Sequence, residues 1–187
     1  MDTVTETRPL HFADAAEWEA WLAEHYGDSA GVWLKIAKKG SGRTSVTIAE
    51  ALDVALCHGW IDSRRKGFDA DHYAQRYSPR RPGGSWSRVN VEKVEALVAA
   101  GRVRAPGLAA IDAAKADGRW DAAYERQRDA TVPPDLAGAL AADDRARERF
   151  DLLDRTRRYA VLLRLMKART PAGRARQLER IVGELKR

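Results

Sequence analysis

The stretch Ser78-Pro-Arg-Arg-Pro-Gly-Gly-Ser-Trp-Ser-Arg-Val-Asn90 is where this sequence gathers residues able to hold an anion. Arg76, Arg80, Arg81 and Arg88 offer guanidinium forks that match phosphate or carboxylate oxygens. Ser85 and Ser87 add hydroxyl donors, while Gly83 and Gly84 permit close backbone approach and positive φ. The stretch runs from an expected strand end into an expected helix start, where unpaired amides and the helix dipole favour negative charge. A small anion clamped by Arg80 and Arg81 and cradled by Ser85, Ser87 and backbone amides is the chemistry this pattern can do. A nucleotide-hydrolysing phosphate loop is excluded, because the Gly-x-x-x-x-Gly-Lys spacing is missing. The same residues also fit a structural account, in which Ser87 or Asn90 caps the helix, Trp86 fills the core, and the arginines pair with Asp62, Asp69 or Asp71.

Asp62 follows Trp60 and Ile61 and is expected at the edge of the core. Facing Arg80, it would be held ionised and would orient that arginine toward a ligand. Work as a general base would need a raised pKa, for which the sequence supplies no cause. The candidate ligand-binding set is therefore Trp60, Asp62, Arg76, Arg80, Arg81, Ser85, Trp86, Ser87 and Asn90, and no catalytic residue is assigned. Cys57 and His58 are helix neighbours that point about 100° apart, a poor arrangement for a nucleophile and its base. His58 stands by the last turn, where a positive charge would suit the dipole. His11, His25, His58 and His72 have no partner at metal-ligand spacing, so neither a metal nor a cofactor is expected. Trp18, Trp21, Trp33, Trp60, Trp86 and Trp120 fall on apolar stripes or strand positions and are expected in the core.

The elements that must position these residues have local signatures. Asp14-Ala-Ala-Glu17 is an N-cap with a carboxylate three residues on, and it predicts a helix over 15–26 ended by Gly27. Val32 to Lys38 is apolar and β-branched at alternate places, bounded by Gly31 and by the Lys39-Gly-Ser-Gly-Arg turn, and reads as a strand. Thr47-Ile-Ala-Glu50 is a second capping box, followed by an apolar stripe of Ile48, Ala51, Leu52, Ala55 and Leu56 up to Gly59. Trp60 to Ser63 and His72 to Tyr77 read as two short strands, with the basic Arg64-Arg-Lys-Gly run as the turn region between them. From Ser87 onward the pattern is helical, with breaks at Gly101, Gly118 and Pro133. Thr170-Pro171 opens the last helix. The expected fold is α+β: a small N-terminal α/β unit at 10–103 with a short sheet of about three strands, then a C-terminal helical half at 104–187.

The 187 residues carry 33 Lys and Arg against 27 Asp and Glu, a net charge of +6 that is unevenly spread. Residues 145–187 hold 14 bases and 5 acids, a net of +9, while the first 144 residues net −3. Arg155, Arg157, Arg158, Arg164, Lys167, Arg169, Arg174, Arg176 and Arg180 accompany apolar stripes, as on the solvated face of packed helices. The competing account is contact with nucleic-acid phosphates, which the charge permits without any base-reading motif. Binding to an anionic membrane surface is a third, disfavoured because the apolar stripe is needed for packing. No run approaches the roughly 18 apolar residues of a membrane span. Met1 to Arg8 hold two acids and no apolar core, so no secretory leader is expected. With the single Cys57, this places the protein in the cytoplasm.

Several motifs arrive in a characteristic order: Ala55-Leu-Cys-His-Gly-Trp-Ile-Asp-Ser63, Tyr77-Ser-Pro-Arg80, Ser85-Trp-Ser-Arg-Val-Asn90, Gly101-Arg102 and Gly118-Arg-Trp120. In these the chain resembles the bacterial YdeI/OmpD-associated family, also described as bacteriocin-protection proteins, from about Leu10 to the C-terminus. Val103 stands where that family often has Met. The resemblance implies a protective role against bacteriocins or other envelope stress and names no reaction.

Overall fold

The computed structural model describes residues 8–27 and 30–187. Met1 to Thr7, which carry most of the leader expectation, and Asp28 and Ser29 lie outside the described residues. The chain forms two compact units, one made of the residues up to Gly84 with Asn90–Trp120, the other of Ser85–Val89 with Asp121–Arg187.

The first unit holds α1 (Ala15–His25), β1 (Val32–Ala37), α2 (Ile48–Cys57), β2 (Trp60–Gly67), β3 (His72–Pro79), most of α3 (Arg88–Ala99) and α4 (Ala105–Ala116). The caps read from the sequence are in place. Asp14 accepts the Glu17 amide at 3.0 Å and the Glu17 carboxylate accepts the Ala13 amide at 2.7 Å, while Thr47 and Glu50 close a reciprocal box. The three strands form an antiparallel sheet in the order β1-β3-β2. Trp18, Leu22, Leu34, Ile36, Val54, Trp60 and Tyr77 make its apolar core. The polar tips of two buried indoles in this core are satisfied: Trp18 Nε1 donates to Ala51 O at 3.1 Å and Trp60 Nε1 to Tyr26 O at 2.9 Å.

The basic run expected as a turn is strand. β2 continues through Arg64, Arg65 and Lys66 to Gly67, and the chain reverses at Phe68 to Asp71. Cross-strand contacts draw it out: Arg65 lies 4.5 Å from the Tyr73 ring and donates to Gln75 Oε1 at 3.0 Å, and Lys66 lies 4.9 Å from the Trp33 ring. The turn itself is built on Asp69, whose carboxylate accepts the Asp71 and His72 amides at 2.9 and 2.7 Å and His72 Nδ1 at 2.8 Å. Lost hydration pushes that carboxyl up, but the His72, amide and Lys35 hydrogen bonds win and hold it down at about 2.

The second unit is helical, with α5 (Pro134–Ala141), α6 (Asp144–Asp151), α7 (Arg155–Met166) and α8 (Pro171–Leu185) around Leu136, Leu140, Phe150, Leu162, Leu165 and Ile181. Asp143, Asp154 and Thr170 cap α6, α7 and α8. Arg174 grips Asp135 with two bonds of 2.6 and 2.9 Å and donates a third to Leu165 O at 2.9 Å, so one basic side chain ties α8 to α5 and to the end of α7. The fold is α+β, as the sequence predicts.

Candidate functional site

Arg81, Pro82, Gly83 and Gly84 form a tight turn closed by the Gly84 amide on Arg81 O at 2.9 Å. Proline second and a glycine at φ +73° third are what a type II turn requires. The buried side chain of Arg119 fastens this turn, donating to Gly84 O at 3.0 Å while its Nε meets both oxygens of Asp117 at 2.7 Å. Before the turn, the Arg80 amide donates to Gly59 O at 3.0 Å and its Nε and Nη2 are shielded from solvent. Arg81 is exposed. Arg76 is half-buried and donates through Nη2 to the carbonyl of Ala30.

Trp60 and Asp62 alternate along β2, opposite Pro79 and Tyr77 of β3. Period-2 geometry puts Trp60, Asp62 and Tyr77 on one face of the sheet, the face that carries the core. This explains the behaviour of Asp62. Burial pushes its carboxyl up, and the pull of its own backbone amide, of Arg80 and of Arg65 does not cancel that push. Arg80 thus pulls on Asp62 without prevailing, where the sequence led to the expectation of a carboxylate held ionised. Burial also raises Tyr77, helped by the Asp62 charge, and the Tyr77 hydroxyl is buried with no hydrogen-bond partner among the described residues.

Ser85, Trp86 and Ser87 belong to the second unit, and Asn90, on α3, belongs to the first. Ser85 is exposed, Trp86 buried, Ser87 and Asn90 half-buried. At the start of α3 the Arg88 amide donates to Tyr124 O at 2.9 Å, and the Tyr124 amide to Trp86 O at 3.0 Å. Arg88 also lies 3.7 Å from the Glu125 carboxylate.

The second unit contains a basic pocket of about 460 Å³ between the end of α7 and the first turns of α8, lined by Arg164, Lys167, Arg176, Gln177 and Arg180 together with small residues and, among the described residues, no carboxylate. Arg164 is held in place by Glu184 at 2.6 and 3.1 Å and by Gln177 at 3.3 Å. Lys167 lies 4.9 Å from the Tyr124 ring. Arg176 and Arg180 are exposed, one turn apart on α8. Sequence reasoning placed these four cations on a solvated face. The available signal was their spacing, i,i+3 on one helix and i,i+4 on the next, and what it lacked was the approach of the two helices. Among the described residues no group of three or more His, Cys, Asp or Glu is placed to hold a metal, and no helix is long and apolar enough to cross a membrane.

Fold and charge define an α+β protein with a basic helical C-terminal unit. The chain belongs to the family described as Domain of unknown function (DUF8412), whose model matches residues 10–110, more than half of the chain. Residues 129–187 match the family described as Bacteriocin-protection, YdeI or OmpD-Associated, the family that the sequence motifs resemble. Most of the motifs that carried the resemblance lie within 10–110, whereas the match to that family covers α5 to α8. No curated protein and no solved structure matches the chain.

Proposed function

We propose that this is a cytoplasmic bacterial protein with a protective, stress-related role, exercised by binding a small, multiply charged anion such as a phosphorylated metabolite. The observation that carries the reading is the pocket at Arg164, Lys167, Arg176 and Arg180, where three cations besides the Glu184-paired Arg164 face one space that, among the described residues, no carboxylate lines. Such an arrangement is electrostatically incomplete, and a phosphate or dicarboxylate would complete it through guanidinium forks and a lysine point charge. The pocket lies inside the span matched to the bacteriocin-protection family, which supports the protective role. The single cysteine supports the cytoplasmic setting. The loop at Arg80 and Arg81 is a second place for the same chemistry, supported by the coupling of Arg80 to Asp62.

Thermal melts with pyrophosphate, set against sodium chloride at equal ionic strength, test the proposal. A ligand at a hundred times its Kd adds about 2.7 kcal/mol, which for a chain of this size is roughly 5–10 °C in Tm. Wild type is expected to respond, and the paired substitutions Arg176→Ala and Arg180→Ala to abolish the response while leaving the ligand-free Tm nearly unchanged. Arg80→Ala reads the loop separately. Should no anion raise Tm beyond the chloride control, or should all variants respond like wild type, the reading fails.

A further inference from the structure

The outer face of α1 presents Ala16, Ala20 and Ala23 at helical spacing beside the end of α2 and the start of α4. These last two elements are pressed together through glycines. A Cβ on Gly107 would lie 2.3 Å from Cys57 O, and one on Gly59, which also has φ +74°, would lie 2.8 Å from Pro106 O. The Arg104 amide adds a bond to Cys57 O at 2.9 Å. The result is a pocket of about 540 Å³ whose lining includes the three alanines, Pro106, Tyr26, Glu19, Arg104 and His58. Its size is that of a small-molecule site.

His58 gives this pocket its chemistry. The residue is 3 % exposed, and its Nδ1 lies 3.0 Å from Val54 O. A carbonyl only accepts, so Nδ1 carries the hydrogen, and in the neutral ring Nε2 is left as a bare acceptor. Among the described residues Nε2 has no hydrogen-bond partner, and the ring lines the pocket. Among the described residues the one charged pair at the site, Arg104 and Glu19 at 2.8 Å, is closed on itself. The walls are otherwise methyl groups, a proline ring and the Tyr26 ring.

We propose that this pocket binds a small, neutral, largely apolar molecule of one or two rings that donates an O–H or N–H hydrogen bond to His58 Nε2. The alanine floor gives room for a flat body, and the neutralised rim gives no reason to prefer a charged one. The fixed acceptor supplies the selectivity. This site is separate from the basic pocket and stands or falls independently of it.

Indole and 1-methylindole are the probes, alike in shape and differing in the donor. In nitrogen-15 NMR of the full chain, indole is expected to shift His58 Nε2 and the amides of Ala20 and Ala105 saturably, and 1-methylindole to bind about tenfold or more weakly. His58→Asn keeps an amide N–H for Val54 O and withdraws the acceptor from the Nε2 position, its shorter Oδ1 falling short of the pocket, so its indole affinity is expected to fall to the 1-methylindole level. Ala20→Leu, at an exposed position, fills the pocket and is expected to abolish binding of both with the fold intact. The proposal is overturned if indole produces no saturable shift at these amides, if 1-methylindole binds as tightly, or if His58→Asn leaves indole affinity unchanged.

Discussion

Asp62 shows how much one residue's chemistry depends on which side of a strand it takes. It shares the core face with Trp60 and Tyr77, and the register shift between Asp62 and Arg65 turns the following basic side chains away from that pattern. The sequence pairs Asp62 with Arg80, whose charge does pull on it. It does not tell that burial outweighs Arg80, because face and bulge are set by pairing with β3. A carboxyl with a folded pKa above its unfolded one binds its proton more tightly in the native state. It contributes stability that is fully present below the ordinary carboxylate range and is lost as pH rises through the folded value. Asp62→Asn is therefore expected to raise Tm at neutral pH, with the gain vanishing below about pH 4. Melts across that range check it. A lower Tm at neutral pH would mean that the attraction of Arg80 exceeds the cost of burial after all.

At the scale of elements, what was legible was local. Asp14, Thr47 and Thr170 announce the starts of α1, α2 and α8 because a capping side chain and the amide it serves lie within three residues of each other. The Arg64 to Gly67 run was misread because what makes it strand, the rings of Tyr73 and Trp33, comes from other strands. The basic helices were legible as a charge count but not as roles. On α8, Arg174 joins three helices through Asp135 and Leu165 O, whereas Arg176 is exposed and makes no ion pair among the described residues. Arg174 draws the Asp135 carboxyl down mainly by hydrogen bonding, and both side chains remain about a third exposed, so screening keeps the effect moderate. Arg174→Ala is expected to cost about 2 kcal/mol, and Arg176→Ala no more than about 0.5 kcal/mol. Urea midpoints of the two variants measure the difference. Equal losses would place Arg174 on the same solvated face as its neighbour.

For the molecule as a whole, the net of +6 disguises an arrangement in which the last 43 residues carry +9. Charge density alone would favour any polyanion, and duplex DNA is the natural rival to a small ligand. The structure narrows the choice by showing where that charge is already engaged: Arg147 with Asp144, Arg157 with Asp154, Arg164 with Glu184, Arg174 with Asp135 and Lys186 with Asp143. In the basic pocket this leaves Lys167, Arg176 and Arg180 to meet a ligand. A protein that neutralises Z phosphates loses duplex affinity with a log–log salt slope of about −0.9Z. Three cations would set a slope of about −3 for a duplex held at the pocket alone, against about −8 if the whole excess were engaged. Fluorescence anisotropy of a short labelled duplex over a series of salt concentrations reads the slope directly, and the Arg176→Ala and Arg180→Ala pair is expected to flatten it to about −1. A slope near −8 that survives the pair would assign the C-terminal unit to nucleic acid and leave the pocket as an incidental gap between two basic helices.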